Sequence, residues 1–391
     1  MRVAHVITRM ILGGAQENTL YNCEDLIAQY GDSVLLITGP PLGPEGSLLE
    51  RARQRGVPIE LIDALRRPLH PLRDTASYLA LRRVLARFRP DVVHTHSAKG
   101  GVLGRAAAAA VGVPAVVHTV HGAPFHPYQP LAARELFRWC ERWAARRCHA
   151  LVSVADAMTD LMVEGRVAPR EKFTTIYSGM EVAPLVEADQ WREATRAELG
   201  YRPEHVVVGK IARLFHLKGH EYLVDAARQV VAAQPQVRLL LVGDGILRAR
   251  IEAQIAAAGL GDHVQFTGLV PPERIAPLLS AMDVLVHCSL REGLARALPQ
   301  ALIAGKPVVS YDVDGAREVV LPGQTGYLLP PRSVASLAEA LIELAEHAAL
   351  REQLGAEGRR RFADVFRHET MTAQIRALYE RVLRERPPLG G

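Results

Sequence analysis

The sequence predicts an α/β protein built from two Rossmann-like domains, each with a parallel sheet covered by helices on both faces. A length of 391 residues exceeds what one ordinary core organises, so we expect at least two domains. Short apolar segments alternate with segments of helical periodicity, which is typical of a parallel sheet. This alternation pauses at about 179–205, rich in Ala, Glu and Pro, and restarts with a predicted strand at 206–211.

The restart sets the predicted domain boundaries. We predict a first domain over 1–180 and a second over 181–365, followed by a helical segment at 366–391. Within these domains the pattern predicts, among other elements, strands at 115–120 and 284–287 and a helix at 275–281.

Composition indicates an ordinary globular protein, with 49% hydrophobic and 23% charged residues. Polar residues or glycine interrupt every apolar run before it reaches the length of a membrane span. The four cysteines form no CxxC pair and have no metal-ligand spacing, so we expect free thiols in a reducing cytoplasm.

The positive charge is concentrated in the N-terminal part, where residues 1–180 hold 22 Lys and Arg against 16 Asp and Glu. Much of the excess lies in arginines spaced by about one helical turn, namely Arg134, Arg138, Arg142, Arg146 and Arg147. One interpretation is a solvated helix face, and another is attraction to anionic lipid or to a phosphorylated acceptor. Nucleic acid is disfavoured because little aromatic sequence interleaves with the charge.

Two strand-end loops of the second domain carry charged residues. Glu292 follows the strand at 284–287, and helical spacing that begins at Leu294 predicts a helix directly after it. Glu292 could be a favourable first-turn charge or a ligand contact. Arg213 and Lys218 flank the loop after 206–211, where they could bind a diphosphate or be exposed surface cations.

The first domain has two comparable loops. Gly13 and Gly14 form a strand-to-helix turn that is not a GxGxxG fingerprint. His121 follows the strand at 115–120 and suits hydrogen bonding or proton transfer, although an isolated histidine is often structural. A further strand is predicted to end at His94, with His96 on the same side, and the lack of an obvious carboxylate partner disfavours a metal site.

Taken together, these motifs resemble the retaining glycosyltransferases of family 4, which have the GT-B architecture. The motifs are GGAQ at 13–16, HTHSAKGG at 94–101, HTVHG at 118–122, Arg213 with Lys218, GDG at 243–245, and SLREG at 289–293 followed by ALIAGKPVV. The resemblance implies two Rossmann-like domains facing across a cleft, with the helix of 366–391 packing back on the first, acceptor-binding domain.

The resemblance also implies roles for individual residues. His121, Glu292, Arg213 and Lys218 would act at the reacting centre, and the two cations would stabilise the diphosphate in place of a metal. The nucleotide-sugar would contact the following residues: Gly13, Gly14, Arg213, Lys218, Asp244, Gly245, Val270, Glu292, Gly293, Leu294 and Gln300. No metal and no cofactor are expected, since the nucleotide-sugar is a substrate.

One residue departs from the family pattern. Gln300 stands where a second glutamate normally contacts the ribose, so a charge-assisted hydrogen bond is lost and donor binding should be weakened or retuned. The implied activity is transfer of a sugar to a glycan or lipid-linked glycan in cell-surface polysaccharide assembly, at the inner face of the membrane. Two alternatives stay open: a nucleotide-sugar-binding protein with weak or no transferase activity, and a nucleotide-sugar epimerase.

Overall fold

The computed structural model describes residues 1–43, 46–385 and 389. The chain forms two compact units, one of Met1–Met180 with Phe366–Gly391 and one of Glu181–Val365. Each unit is built on its own parallel sheet.

The first unit has a seven-stranded sheet in its described residues, with the order β3-β2-β1-β4-β5-β6-β7. The strands are β1 Arg2–Arg9, β2 Ser33–Gly39, β3 Ile59–Leu61, β4 Val92–His96, β5 Ala115–Val120, β6 Ala150–Ser153 and β7 Phe173–Thr175. The helices are α1 Gly14–Tyr30, α2 Leu49–Gln54, α3 Pro71–Phe88, α4 Ala98–Ala110, α5 Leu131–Ala145 and α6 Asp156–Glu164. Every strand pair is parallel, so all carboxyl ends lie along one edge.

The second unit has a six-stranded parallel sheet in its described residues, with the order β10-β9-β8-β11-β12-β13. The strands are β8 Val206–Ile211, β9 Val237–Val242, β10 Val264–Gly268, β11 Val284–His287, β12 Val308–Tyr311 and β13 Gly326–Leu329. The helices are α7 Ala183–Val186, α8 Arg192–Glu198, α9 His220–Ala233, α10 Arg248–Ala257, α11 Ile275–Ala281, α12 Ala297–Ile303, α13 Val334–Glu346 and α14 Ala348–Phe362.

The last helix, α15 (His368–Glu385), belongs to the first unit and packs on α1. Its apolar face is buried in the core of that unit through Met371, Ile375, Leu378, Tyr379 and Val382. Polar contacts fix its start, because the Thr372 hydroxyl donates to Asp25 Oδ2 at 2.7 Å and His368 Nδ1 lies 2.9 Å from the same oxygen.

Two local predictions were wrong. The helix after Glu292 begins at Ala297 and not at Leu294. Pro299 explains the later start, since proline fits a first turn but inside a longer helix would clash with an earlier carbonyl. Strand β4 continues to His96 and does not end at His94. The interval 179–205, where the alternation was predicted to pause and which the structure describes throughout, contains α7 and α8 and no strand.

No helix in the described part of the chain is both long enough and apolar enough to cross a bilayer.

Candidate active site

The switch point of the second sheet lies between β8 and β11, where the strand order reverses. The chain leaves β8 toward β9 and leaves β11 toward β12, on the other side of the sheet. Loops diverge at such a point and leave a crevice at the carboxyl edge, where ligands of open α/β sheets bind. Lys218 lies in the loop that follows β8, and Glu292 lies in the loop that follows β11.

Gly219 explains how these two loops meet. Its φ of 69° is left-handed, and a Cβ at this position would lie 1.9 Å from the carbonyl oxygen of Cys288. Only glycine permits this approach. Nearby, the Leu290 N–H donates to the Leu217 carbonyl at 2.8 Å, so the loops are hydrogen-bonded to each other.

Glu292 is held by two donors on the same oxygen. Lys218 Nζ forms an ion pair with Glu292 Oε1, and His287 Nε2 lies 3.3 Å from that oxygen. Burial alone would raise the pKa of Glu292, but Lys218 and His287 outweigh it and hold the pKa well below its ordinary 4.5. Burial lowers the pKa of His287, so this histidine is a neutral donor to a carboxylate.

The backbone around Glu292 is fixed by a segment far away in sequence. The Glu292 N–H donates to Asp314 Oδ2 at 2.6 Å, and the Gly315 N–H donates to the Gly293 carbonyl at 3.0 Å. Burial raises the pKa of Asp314, although this hydrogen bond acts in the opposite direction. The loop that contains Glu292 and Gly293 is therefore held in place by hydrogen bonds within the protein.

The Arg213 loop is joined to the GDG turn. The Leu214 N–H donates to the Asp244 carbonyl at 3.0 Å, and a Cβ on Gly245 would lie 2.4 Å from the Leu214 carbonyl oxygen. The Arg213 guanidinium lies over the Phe215 ring at 5.5 Å. Exposed and next to this turn, Arg213 is accessible to an anionic ligand.

The remaining predicted donor contacts of this unit lie on neighbouring segments. Gly243 N–H donates to Gly268 O at 3.0 Å, which places the loop of Val270 beside the GDG turn. Leu294 is half-buried in the segment before α12, and Gln300 is half-buried within α12. Thus the loops of Arg213, Asp244 and Val270 follow three adjacent strands, β8, β9 and β10.

In the first unit, the two predicted glycines lie at the beginning of α1. Gly13 immediately precedes the helix, and its carbonyl accepts from the N–H groups of Gln16 and Glu17. The strand-to-helix turn that the sequence predicted is therefore present. Gly14 is the first residue of the helix, where backbone N–H groups favour anions.

His121 ends a run of hydrogen-bonded histidines at the switch point of the first sheet, between β1 and β4. His5 Nδ1 lies 3.0 Å from His96 Nε2, and His96 Nδ1 lies 3.1 Å from His121 Nε2. His94, directly opposite His5 in the sheet, packs against His96 in a tilted arrangement with ring centroids 4.2 Å apart. Predicted strand alternation correctly placed His94 and His96 on one side.

Burial keeps these rings neutral. It lowers the pKa of His5 to about 3 and holds those of His94 and His96 well below 6.5. For His94 and His96 the neighbouring histidines act in the same direction. His118 is buried separately, with its Nδ1 2.9 Å from the Thr95 hydroxyl.

Side-chain nitrogens of His5, His94 and His96 lie within 4.8 Å of one another, a spacing compatible with a metal ion. However, both nitrogens of His94 already bond to hydroxyls, Nε2 to Thr119 at 2.7 Å and Nδ1 to Tyr379. A metal would have to displace these bonds as well as the bond between His5 and His96. The donor set therefore fits a hydrogen-bonded network better than a metal centre.

The predicted arginine stripe is largely engaged within the protein. Arg138 pairs with Glu135 at 2.8 Å, Arg142 donates to the Gly165 carbonyl at 2.8 Å, and Arg147 lies over Trp143 at 3.7 Å. Arg146 is exposed. The exposed surface of α5 is instead partly apolar, with Leu131, Leu136 and Trp139 exposed by 68, 50 and 59%.

Several residues around His121 and around Glu292 were not predicted from the sequence. His5 was hidden in an apolar strand, and only the parallel register brings it opposite His94. Tyr379 and Asp314 reach their partners from 285 and 22 residues away. His287 could have been predicted as a site residue, because it is the last residue of β11 and strand ends at this edge carry ligand-binding residues.

Comparison with known proteins identifies the family. The model for a glycosyl transferase 4-like domain matches residues 13–179, and the model for glycosyl transferases group 1 matches residues 192–361. The chain is 32% identical over 287 residues to a 2-deoxystreptamine glucosyltransferase of Streptomyces kanamyceticus, covering 72% of this chain and 74% of that protein.

A second relative matches over more of the chain. It is the Escherichia coli UDP-Gal:alpha-D-GlcNAc-diphosphoundecaprenol alpha-1,3-galactosyltransferase, 26% identical over 353 residues, with 90% of this chain and 89% of that protein covered. Among solved structures, Anabaena HepE in complex with UDP-glucose has a TM-score of 0.82 at 22% identity, covering 97% of this chain and 100% of that one. Because the identity is low, this likeness concerns the fold.

The predicted architecture of two Rossmann-like domains is confirmed, and the chain belongs to the glycosyl transferases group 1 family, as a glycosyltransferase with the GT-B fold.

Proposed function

We propose that this glycosyltransferase moves a sugar from a nucleotide-sugar to a hydroxyl of a lipid-linked glycan, with retained anomeric configuration and without a metal ion. The observation that carries the proposal is the cluster of Lys218, Glu292 and His287 at the switch point of the second sheet. It combines a cation suited to phosphate with a carboxylate suited to sugar hydroxyls.

Arg213 and Lys218 take the part of the metal in this proposal. Lys218 has three N–H donors, so it can keep its ion pair with Glu292 while it also donates to a phosphate oxygen. Arg213 is exposed and adds a planar fork of donors for the same diphosphate. Charge that develops on the leaving nucleotide is then stabilised by fixed cations.

Glu292 holds the donor sugar as an acceptor of hydrogen bonds. Its lowered pKa keeps the carboxylate ionised at neutral pH, so it cannot act as a proton donor there. The amides of Gly293 and Leu294 lie next to it in sequence and suit the same sugar or the phosphate. His121 is assigned to the reacting carbon, and the incoming hydroxyl attacks from the face that the nucleotide leaves.

The lipid-linked acceptor is supported by the surface of the first unit. Besides the exposed apolar residues of α5, a groove of about 660 Å³ is lined by Tyr78, Leu103, Ala106 and Trp143, among others. A membrane interface favours an apolar surface that carries aromatic and basic residues. The E. coli relative is named for an acceptor on diphosphoundecaprenol.

The direct test is a panel of labelled nucleotide-sugars, each with and without an N-acetylglucosaminyl diphospholipid. The proposal expects label in the lipid fraction with at least one donor, only when the acceptor is present. Saturable donor binding without transfer to any acceptor would favour a binding protein. Conversion of the donor sugar to its epimer without acceptor would favour an epimerase.

Membrane contact is tested by flotation with vesicles that contain anionic lipid. We expect binding that weakens at high salt and is reduced by Trp139→Ser. Leu61, an apolar residue of β3 that is 45% exposed, provides the control variant Leu61→Ser. Equal flotation of both variants and the unmodified protein would contradict a role for α5.

A further inference from the structure

His5, His96 and His121, named here the histidine chain, are linked end to end. Each hydrogen bond joins the Nδ1 of one ring to the Nε2 of the next, at 3.0 Å and 3.1 Å. His5 and His96 are fully buried, and burial keeps both neutral at ordinary pH, as their lowered pKa values indicate. A neutral imidazole has one N–H and one acceptor nitrogen.

These facts leave only two arrangements of protons when His121 is neutral. If His5 carries its proton on Nδ1, His96 must accept at Nε2 and carry its own proton on Nδ1. His121 must then accept at Nε2 and carry its proton on Nδ1. In the opposite arrangement all three protons lie on Nε2, and no mixed arrangement satisfies both hydrogen bonds.

The buried end of the histidine chain, at His5, favours one of these two proton arrangements. His5 Nε2 is buried and has no hydrogen-bond partner. With all protons on Nε2, a buried N–H would be left without an acceptor, and such orphaned donors are rare in native proteins. With all protons on Nδ1, only a lone pair is left there.

We propose that His5 and His96 are positioning residues that hold His121 in its Nδ1–H tautomer, with His121 Nε2 accepting a hydrogen bond from His96. His121 then carries a donor on Nδ1, while its acceptor nitrogen is already used. For catalysis this rests on the proposed function: His121 donates a hydrogen bond to the donor sugar and does not act as a general base.

His94 is not part of the histidine chain but packs beside it. Its ring packs against that of His96, and its two nitrogens are fixed by Thr119 and by Tyr379 of α15. The ring of His96 is therefore limited in rotation by packing as well as by its own hydrogen bonds. Since Tyr379 is also fully buried, the C-terminal helix contributes to the position of His96.

The first experiment assigns the tautomers directly by NMR of the full-length protein labelled with ¹⁵N-histidine, at pH 8. Signals are assigned with single-histidine variants, and His118→Gln is the control, since His118 is buried nearby but bonds to Thr95. We expect the Nδ1–H tautomer at His5, His96 and His121. Nε2–H at all three, or mixed tautomers, overturns the assignment, as does a stoichiometric metal bound by these rings.

The second experiment compares His5→Asn with His5→Leu, two side chains of similar size. The asparagine amide nitrogen can replace Nδ1–H as a donor to His96, whereas leucine cannot. We expect His121 to keep its tautomer in His5→Asn and to populate both tautomers in His5→Leu. Thermal unfolding of both variants checks that each is folded.

The kinetic consequence is measured on the same pair. In His5→Leu, kcat should fall severalfold, in step with the lost population of the Nδ1–H tautomer, while KM for the nucleotide-sugar changes less than twofold, and His5→Asn should restore most of kcat. Unchanged tautomers with a lower kcat would overturn the positioning role. The expected tautomers in a protein that transfers no sugar would overturn the proposed function and leave the histidine chain standing.

Discussion

The two polar clusters of this glycosyltransferase occupy the same place in their sheets but differ in chemistry. The histidine chain lies where β1 and β4 meet, and its inner rings are fully buried among imidazoles and hydroxyls. Lys218 and Glu292 lie where β8 and β11 meet, and their side chains are 22 and 17% exposed.

This difference separates two ways of preparing a site. Buried neutral groups are costly to ionise, so the first cluster holds one arrangement of protons and ring orientations. A partly exposed ion pair can share its donors with a ligand at little cost. We therefore expect the first cluster to respond to pH and the second to respond to substrate.

The largest expected effect is acid destabilisation of the first unit. Four histidines there are at most 3% exposed and have a lowered pKa: His5, His94, His96 and His118. Below about pH 6.5 these histidines bind protons in the unfolded chain but stay neutral in the native protein. The free energy of unfolding therefore falls as pH falls below this value and is retained above it. For His5, whose native pKa is about 3, this costs roughly 2 kcal/mol between pH 7 and pH 5, and the other three histidines act in the same direction.

Amide hydrogen exchange at pH 7 and pH 5, corrected for intrinsic exchange rates, measures the loss of stability separately in each of the two units. The second unit has two histidines with that degree of burial and a lowered pKa, His220 and His287, so it should lose less protection. Equal loss in both units would remove the distinction between the clusters.

Next in size is the loss of transfer in Glu292→Ala. Removing the carboxylate takes away the sugar contact and leaves Lys218 without its partner, and we expect a decrease of about 10²–10³-fold in kcat. Initial rates with labelled donor measure it. Glu252→Ala provides the control, since Glu252 forms a partly exposed ion pair with Arg248 in α10. Comparable losses in both variants would contradict the role of Glu292.

A smaller effect is expected from Arg213→Lys. The charge is kept but the bidentate geometry is lost, so binding of the free nucleoside diphosphate should weaken about tenfold. Titration calorimetry measures this directly. The exposed Arg228 of α9 gives the matched control Arg228→Lys, which should leave the affinity unchanged. Full affinity in Arg213→Lys would argue against a diphosphate contact.

The smallest expected effect is an increase in affinity for the nucleotide-sugar donor. Gln300→Glu should restore a charge-assisted bond to the ribose and tighten donor binding by a few fold. Gln324→Glu, at an exposed position, controls for the added negative charge. If Gln300→Glu weakens binding, glutamine is the better partner for the nucleotide of this enzyme.

Periodicity alone predicted most of the fold. The strands at 115–120, 206–211 and 284–287 and the helix at 275–281 coincide with β5, β8, β11 and α11. These elements are buried and regular, so local pattern and tertiary environment agree. The start of α12 was missed because the apolar spacing already begins at Leu294, while Pro299 decides where helical hydrogen bonds can begin.

The site was predictable only in part, for a physical reason. Residues that follow strands, such as Lys218, Glu292 and His121, can be identified from the strand pattern because carboxyl ends share one edge. Their partners depend on register and on distant segments: His5 on the pairing of β1 with β4, and Asp314 on a loop after β12. Spacing in the sequence carries no signal for such contacts.

The central claim is metal-independent transfer with retention, and proton NMR of the product formed in excess EDTA tests it most directly. With an α-linked nucleotide-sugar and a diphospholipid acceptor, the account predicts an undiminished rate and an α-linked product. A β-linked product, or activity that disappears in EDTA and returns with a divalent cation, would contradict it.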